Sequence, residues 1–208
     1  MKKIIFILVF TIYSFSGGIE FNVEVVNYGV AYMPIDIYLK VKNNTNEKIM
    51  LPRGCSGTIR EEWGIVRFEV MGELDYSCYL EPGKVEWESS KIILQDLMPN
   101  EEKVYLFMGR QIGIINPGEY NVKITFNTKE LKKPWSIGEG EKIEWESEWI
   151  KINIEEPEGA DKLLIEDLKK VYPNRYKCIL MDDISHLSSF ILEKYPTSTY
   201  AGWAFPSH

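Results

Sequence analysis

Histidine is nearly absent from this 208-residue chain: His186 and His208 are the only two, and His208 is the last residue. Histidine changes charge near neutral pH and is the commonest metal ligand, so acid–base and zinc chemistry have little to draw on. No nucleophile elbow, phosphate-binding glycine loop or zinc signature occurs, nor an Asp-x-Asp-x-Asp run of the calcium-loop kind. A carboxylate pair can catalyse without any motif, but nothing singles out two of the 31 acids. The expectation is a protein that is not an enzyme, with no cofactor and no metal. Basic residues are also in the minority, 24 against those 31 acids, for a formal charge of −7. Phosphate binding needs clustered Lys and Arg, so nucleic acid is not an expected partner.

Long apolar runs are missing too. A membrane-spanning helix needs roughly 20 residues, and the one candidate, Ile4 to Ile12, is well short of that. It follows Lys2-Lys3 and precedes Ser14-Phe15-Ser16-Gly17-Gly18, a positive start, an apolar middle and small residues at the end. That order is a secretory leader, residues 1–18, cleaved after Ser16 or Gly18. No Cys follows the run, so no lipid anchor is expected. The chain should be secreted or periplasmic, with no transmembrane span once mature. Cysteine is scarce, with three in all. Cys55 and Cys78 share one region and are the candidate disulfide if the compartment oxidises. Cys178 would be left over, and an odd count leaves three free thiols as the alternative.

What is present is mostly period two. Asn116-Pro117-Gly118-Glu119-Tyr120 opens a tight corner, since Pro pre-sets φ and Gly tolerates positive φ. Tyr120, Val122, Ile124 and Phe126 then alternate with Asn121, Lys123 and Thr125, which places four apolar side chains on one strand face. Further strands are predicted at Ile19 to Val26, Ile35 to Val41, Lys48 to Leu51, Ile65 to Val70, Trp87 to Leu94, Lys103 to Met108 and Ile143 to Ile154. Strand-and-turn units at about ten-residue spacing suit an antiparallel sandwich. After Glu155-Glu156-Pro157-Glu158-Gly159 the period becomes 3.6. Leu164, Leu168, Val171 and Tyr172 mark one helix. Ile184, Leu187, Ile191 and Tyr195 mark a second. Asp161 and Asp182 or Asp183 are candidate N-caps, and Ser198 is a candidate cap for a third turn.

The strand ending in Asn43-Asn44-Thr45, the Leu97-Met98-Pro99 turn, Pro117-Gly118-Glu119-Tyr120 and the strand Trp149 to Ile154 together resemble an immunoglobulin-like domain of exported bacterial proteins. The resemblance covers residues 19–156 and implies a mostly β, antiparallel immunoglobulin-like sandwich. It also implies that Tyr120, after Pro117 and Gly118, ties its hydroxyl to upstream backbone. The outline is loosely similar to the sandwich of certain bacterial proteinase inhibitors, without an obvious reactive loop. Phe190 to Ala204, with Tyr195-Pro196 at its centre, resembles a tetratricopeptide-type helix, its break and the start of the next repeat. Residues 157–208 are thus expected to form a short helical hairpin. Such repeats bury a core only in stacks of about three, so the hairpin either docks on the sandwich or belongs to a chain cut short at His208.

Five tryptophans, Trp63, Trp87, Trp135, Trp145 and Trp149, fall in the sandwich region. Trp145 and Trp149 share a face if one strand runs through both, opposite Ile150 and Ile152. Trp135 lies with Lys132 and Lys133 in the long connection Asn127 to Lys142. Burial tendency favours a tryptophan folded back on the sheet edge. Left exposed, Trp135, Lys132 and Lys133 become the candidate ligand-binding residues, because sandwich end loops carry recognition. The acids Glu155, Glu156, Glu158 and Asp161 are read as a solvated helix start rather than a calcium site. The expected role is a binding or scaffolding module whose partner is a protein or glycan of the cell envelope. The alternatives are a carbohydrate-binding module using Trp135, or a proteinase-inhibitor-like accessory domain.

Overall fold

Alternation of apolar and polar side chains decides the sheets. The computed structural model describes residues 8–16, 18–27, 29–52, 66–78, 94–129, 142–182 and 184–204. β1 (Leu8–Ser16), β2 (Ile19–Asn27), β3 (Ile35–Asn43), β4 (Ile49–Pro52), β5 (Val66–Met71), β6 (Leu94–Leu97) and β7 (Glu102–Met108) precede β8 (Gly118–Asn127), β9 (Glu144–Glu146) and β10 (Ile150–Ile154). The first antiparallel sheet has the order β1-β2-β3-β7, and the second runs β10-β8-β5 with β9 also on β8. β4 and β6 form a separate two-stranded ribbon. β3 turns Ile35, Ile37, Leu39 and Val41 into the interior, as its period of two predicts. The fold is mostly β and antiparallel, with short helices at its C-terminal end.

Aromatic contacts join the two sheets. Phe21 of β2 lies 5.6 Å from Phe126 of β8, and Phe68 of β5 meets Phe107 of β7 edge-on at 5.0 Å. The predicted corner is in place. Gly118 has φ +148°, and the buried Tyr120 hydroxyl lies 2.9 Å from the Asn116 carbonyl and 3.1 Å from that of Glu73. Its single proton serves one carbonyl at a time.

The stretch from Ile143 to Ile154 is two strands rather than one. β9 pairs with Thr125 to Asn127, and β10 with Gly118 to Val122. Between them Ser147 leaves strand geometry and substitutes a side chain for a ladder partner. Its N–H donates to the Ile124 carbonyl (2.8 Å), and its Oγ accepts from the Ile124 N–H (2.9 Å). The break separates the two tryptophans expected on one face. Trp145 is buried and stacks on Phe21 with centroids 4.6 Å apart. Trp149 is 37% exposed, with the Lys123 ammonium over its ring.

Three short helices come next: α1 (Gly159–Val171), α2 (Tyr176–Asp182) and α3 (Ser188–Lys194). α1 buries Leu164, Ile165 and Leu168, whereas Val171 and Tyr172, expected on the same face, are exposed at its end. The expected second helix is divided into a 3-10 turn, Ile184–Leu187, and α3. Asp161 does not cap α1. Glu158 holds that position in extended backbone, and the buried Asp161 carboxylate grips the tail instead. It accepts from Ser198 Oγ (2.7 Å), Thr199 N–H (2.6 Å) and Thr199 Oγ1 (2.7 Å). Ser198 caps the last 3-10 turn, Thr199–Gly202, as predicted, accepting from the Tyr200 N–H. Tyr200 is fully buried, and its hydroxyl donates to the Ala31 carbonyl of the sandwich. The helical segment therefore docks on the sheets. No helix among the described residues is long and apolar enough to cross a membrane.

The candidate pairing of Cys55 with Cys78 is corrected. Cys78 is bonded to Cys178, with Cα atoms 5.0 Å apart across a separation of 100 residues, and Cys55 lies outside the described residues. The cause is the docking of α2. Lys177, one residue before Cys178, is paired with Asp75, three residues before Cys78.

Candidate functional site

The β2–β3 turn, the end of β10 and the first two helices meet at one seam. Asn27 closes β2 and fixes the turn beyond it: its Nδ2 donates to the Asn153 carbonyl and its Oδ1 accepts from the Gly29 N–H. Val30 then bridges to Glu155, and the Glu155 N–H returns to the Gly29 carbonyl at 2.8 Å. The turn so held carries Tyr32 at φ +59°. A left-handed tyrosine costs about 1 kcal/mol or more, and the surroundings maintain it. Its N–H donates to the Ile115 carbonyl at 3.3 Å. Its ring meets that of Tyr176 edge-on at 5.6 Å, and the Lys177 ammonium lies over it at 5.7 Å. Lys169 sits over the Tyr176 ring in turn.

Electrostatics are set by that packing. Burial, then the hydrogen bond with Tyr176, then nearby Glu156 and Asp75 push the Tyr32 phenol well above its ordinary range, so it stays protonated. Burial opposes ionisation of Asp75, but bonds from Lys177 and Ser77 outweigh it and bring its pKa down to about 2. Lys177 also donates to Asn116 Oδ1 at 2.8 Å, the residue whose carbonyl lies against Tyr120. The corner, the disulfide and the helices thus meet at one ammonium group.

Beside this seam lies a cleft of about 660 Å³, walled by Tyr32, Pro157 and Ile165 and by the charged Glu156, Glu158, Lys162, Glu166 and Lys169. It offers ion pairs and hydrogen bonds beside an apolar wall. Among the described residues no imidazole or thiol lines it; its ionisable groups are carboxylates, ammonium groups and one phenol. Of the junction acids foreseen in the sequence, Glu156 and Glu158 line it, whereas Asp161 is turned to the tail, and among the described residues no three or more His, Cys, Asp or Glu are placed to hold a metal ion.

The sequence-derived candidates Trp135, Lys132 and Lys133 lie outside the described residues. The base of their loop is described. Thr128 N–H donates to the Ile143 carbonyl at 2.8 Å, and Ile143 N–H donates to Thr128 Oγ1 at 2.7 Å. Glu144 and Glu146, beyond that base, are solvent-facing and paired with Lys129 and Lys123. Sequence reasoning did not find Tyr32, Tyr176 or the cleft. The one available signal was Tyr176, Ile179 and Leu180 at helical spacing after Pro173, which marks α2. A scan of protein-family models finds no match to the chain, and a search of curated proteins finds none either.

Proposed function

We propose that the chain is an exported, non-enzymatic binding or scaffolding module of the cell envelope. In this view an immunoglobulin-like sandwich carries a tetratricopeptide-like helical segment as a fixed appendage. The Cys78–Cys178 bond carries the proposal. Disulfides persist in oxidising compartments and are rare in reducing ones, which agrees with the leader read at residues 1–18. The Tyr120 hydroxyl against the carbonyl four residues upstream supports the immunoglobulin-like assignment. The clamped base of the Asn127 to Lys142 loop supports recognition at that end of the sandwich, with Trp135, Lys132 and Lys133 as contact residues for a protein or glycan.

The test is a pull-down from cell-envelope extract with the mature chain, beside a variant lacking Lys132 to Gly138, with proteins and glycans identified by mass spectrometry. One partner retained by the first bait and lost by the second is the expected result. Retention by neither bait defeats the loop as the binding surface. Equal retention by both moves the surface to the Tyr32 cleft, where Lys162→Glu should then abolish capture.

A further inference from the structure

The outer edge of β2 is filled along its whole length by β1, Leu8 to Ser16 pairing residue for residue with Asn27 to Ile19. Removal of the proposed leader takes β1 away, so the inference rests on that leader. β2 then becomes an edge strand with a full row of unpaired backbone groups. Natural edges are guarded by proline, bulges, inward charges or short length. β2 has none of these; its two charges, Glu20 and Glu24, stand on the outer face. It contains no proline, its ladder to β3 runs nine residues without a bulge, and the interior takes the apolar Ile19, Phe21, Val23 and Val25.

Asn22 Oδ1 is buried without a hydrogen-bond partner, at the position that faces Tyr13 of β1. A buried acceptor left unpaired keeps its full desolvation penalty. β1 therefore pairs the backbone of the edge but leaves this side-chain oxygen unsatisfied.

We propose that in the mature chain the freed edge of β2 pairs with β2 of a second copy, antiparallel, about a two-fold axis at Val23. The sequence is self-complementary about that residue. Phe21 comes opposite Val25, Glu20 opposite Val26, and Asn22 opposite Glu24. No like charges stand directly opposite one another, which would destabilise the pair; the glutamates of the two copies meet only on the diagonal. Asn22 Nδ2 donates to the Glu24 carboxylate of the other copy, twice per dimer, and with β1 gone its Oδ1 is open to water. The first sheets of the two copies become one continuous sheet, and the interface is isologous, as closed two-fold association requires.

The experiment uses the full exported chain and outer-face variants that leave the core intact. Intact mass of the secreted protein reads its N-terminus, and sedimentation across a concentration series reads its association. The expected results are a start at Gly17 or Ile19 and a reversible dimer. Asn22→Glu, which sets two pairs of carboxylates against each other, should weaken the dimer about tenfold. Val26→Lys, facing Glu20, should tighten it, and circular dichroism should show both variants folded. Retention of Leu8 to Ser16 overturns the leader on which the inference rests. A correctly processed chain that stays monomeric, or a dimer indifferent to both substitutions, overturns the edge pairing itself. A monomer that takes up a synthetic Leu8–Ser16 peptide shows an open edge with another occupant, and overturns self-pairing too.

Discussion

Gly72 leaves no room for a side chain. A Cβ built there would stand 2.5 Å from Tyr120 Cδ1, and the backbone is at φ +145°, where only glycine is comfortable. Glycine here lets the strand end at Met71 pass the ring that anchors the corner. Gly72→Ala should therefore destabilise the protein by about 2 kcal/mol or more through overpacking and backbone strain. Urea unfolding should show a lower midpoint at unchanged slope. Tyr120→Phe should cost less, about 1 kcal/mol, because it removes one hydrogen bond and leaves the packing in place. A Gly72→Ala midpoint equal to wild type would mean that the ring moves aside freely.

At the scale of elements, α2 is held to the sandwich by a covalent bond and an ion pair placed side by side. The ion pair has a pH signature. The Asp75 pKa is lowered to about 2 in the folded chain, so its stabilisation is complete above the ordinary carboxylate range and is lost as pH falls from about 4 towards 2. With both side chains partly open to solvent, the contribution is about 1 kcal/mol after screening. Asp75→Asn should thus be less stable than wild type by that amount at pH 6, and the two unfolding curves should converge near pH 2. A constant gap across that range would show that the pair contributes nothing through ionisation.

The strands with clean alternation, Ile35 to Val41 and Tyr120 to Phe126, were legible because burial on one face imposes a period of two. The split at Ser147 was not. A serine side chain can replace a ladder partner without disturbing the local apolar pattern, so Trp145 and Trp149 read as neighbours while one turned inward. α2 was missed because seven residues carry barely two turns of helical signal. The helical face of α1 was legible at Leu164 and Leu168, where it meets the sheets, and failed at Val171, where the helix overruns them.

For the molecule as a whole, local pattern gave the mostly β architecture, whereas the seam depends on partners far apart in sequence. Asp161 meets Thr199, Tyr200 meets Ala31, and Cys78 meets Cys178. No spacing rule announces contacts of that kind. The Tyr32 cleft exists only because a turn near the start and a helix near the end converge on it.

That connectivity also sets an order of events. If the chain is exported as proposed, crossing a membrane from its N-terminus presents Cys55 and Cys78 to the oxidising side together, while Cys178 is still 100 residues behind. During that interval the first two thiols are the only partners available to each other, and the shorter loop closes at lower entropic cost. Vectorial emergence therefore favours a wrong bond before the right one can form, and its correction needs thiolate exchange by Cys178 or a catalyst. Replacing Cys55 by Ser should raise the yield of the native bond, read by peptide mapping without reduction, and should relieve dependence on a disulfide isomerase. If Cys55→Ser leaves both unchanged, the thiols wait for the last helices to arrive. Cys55 would then be a bystander in the chain's maturation rather than a competitor.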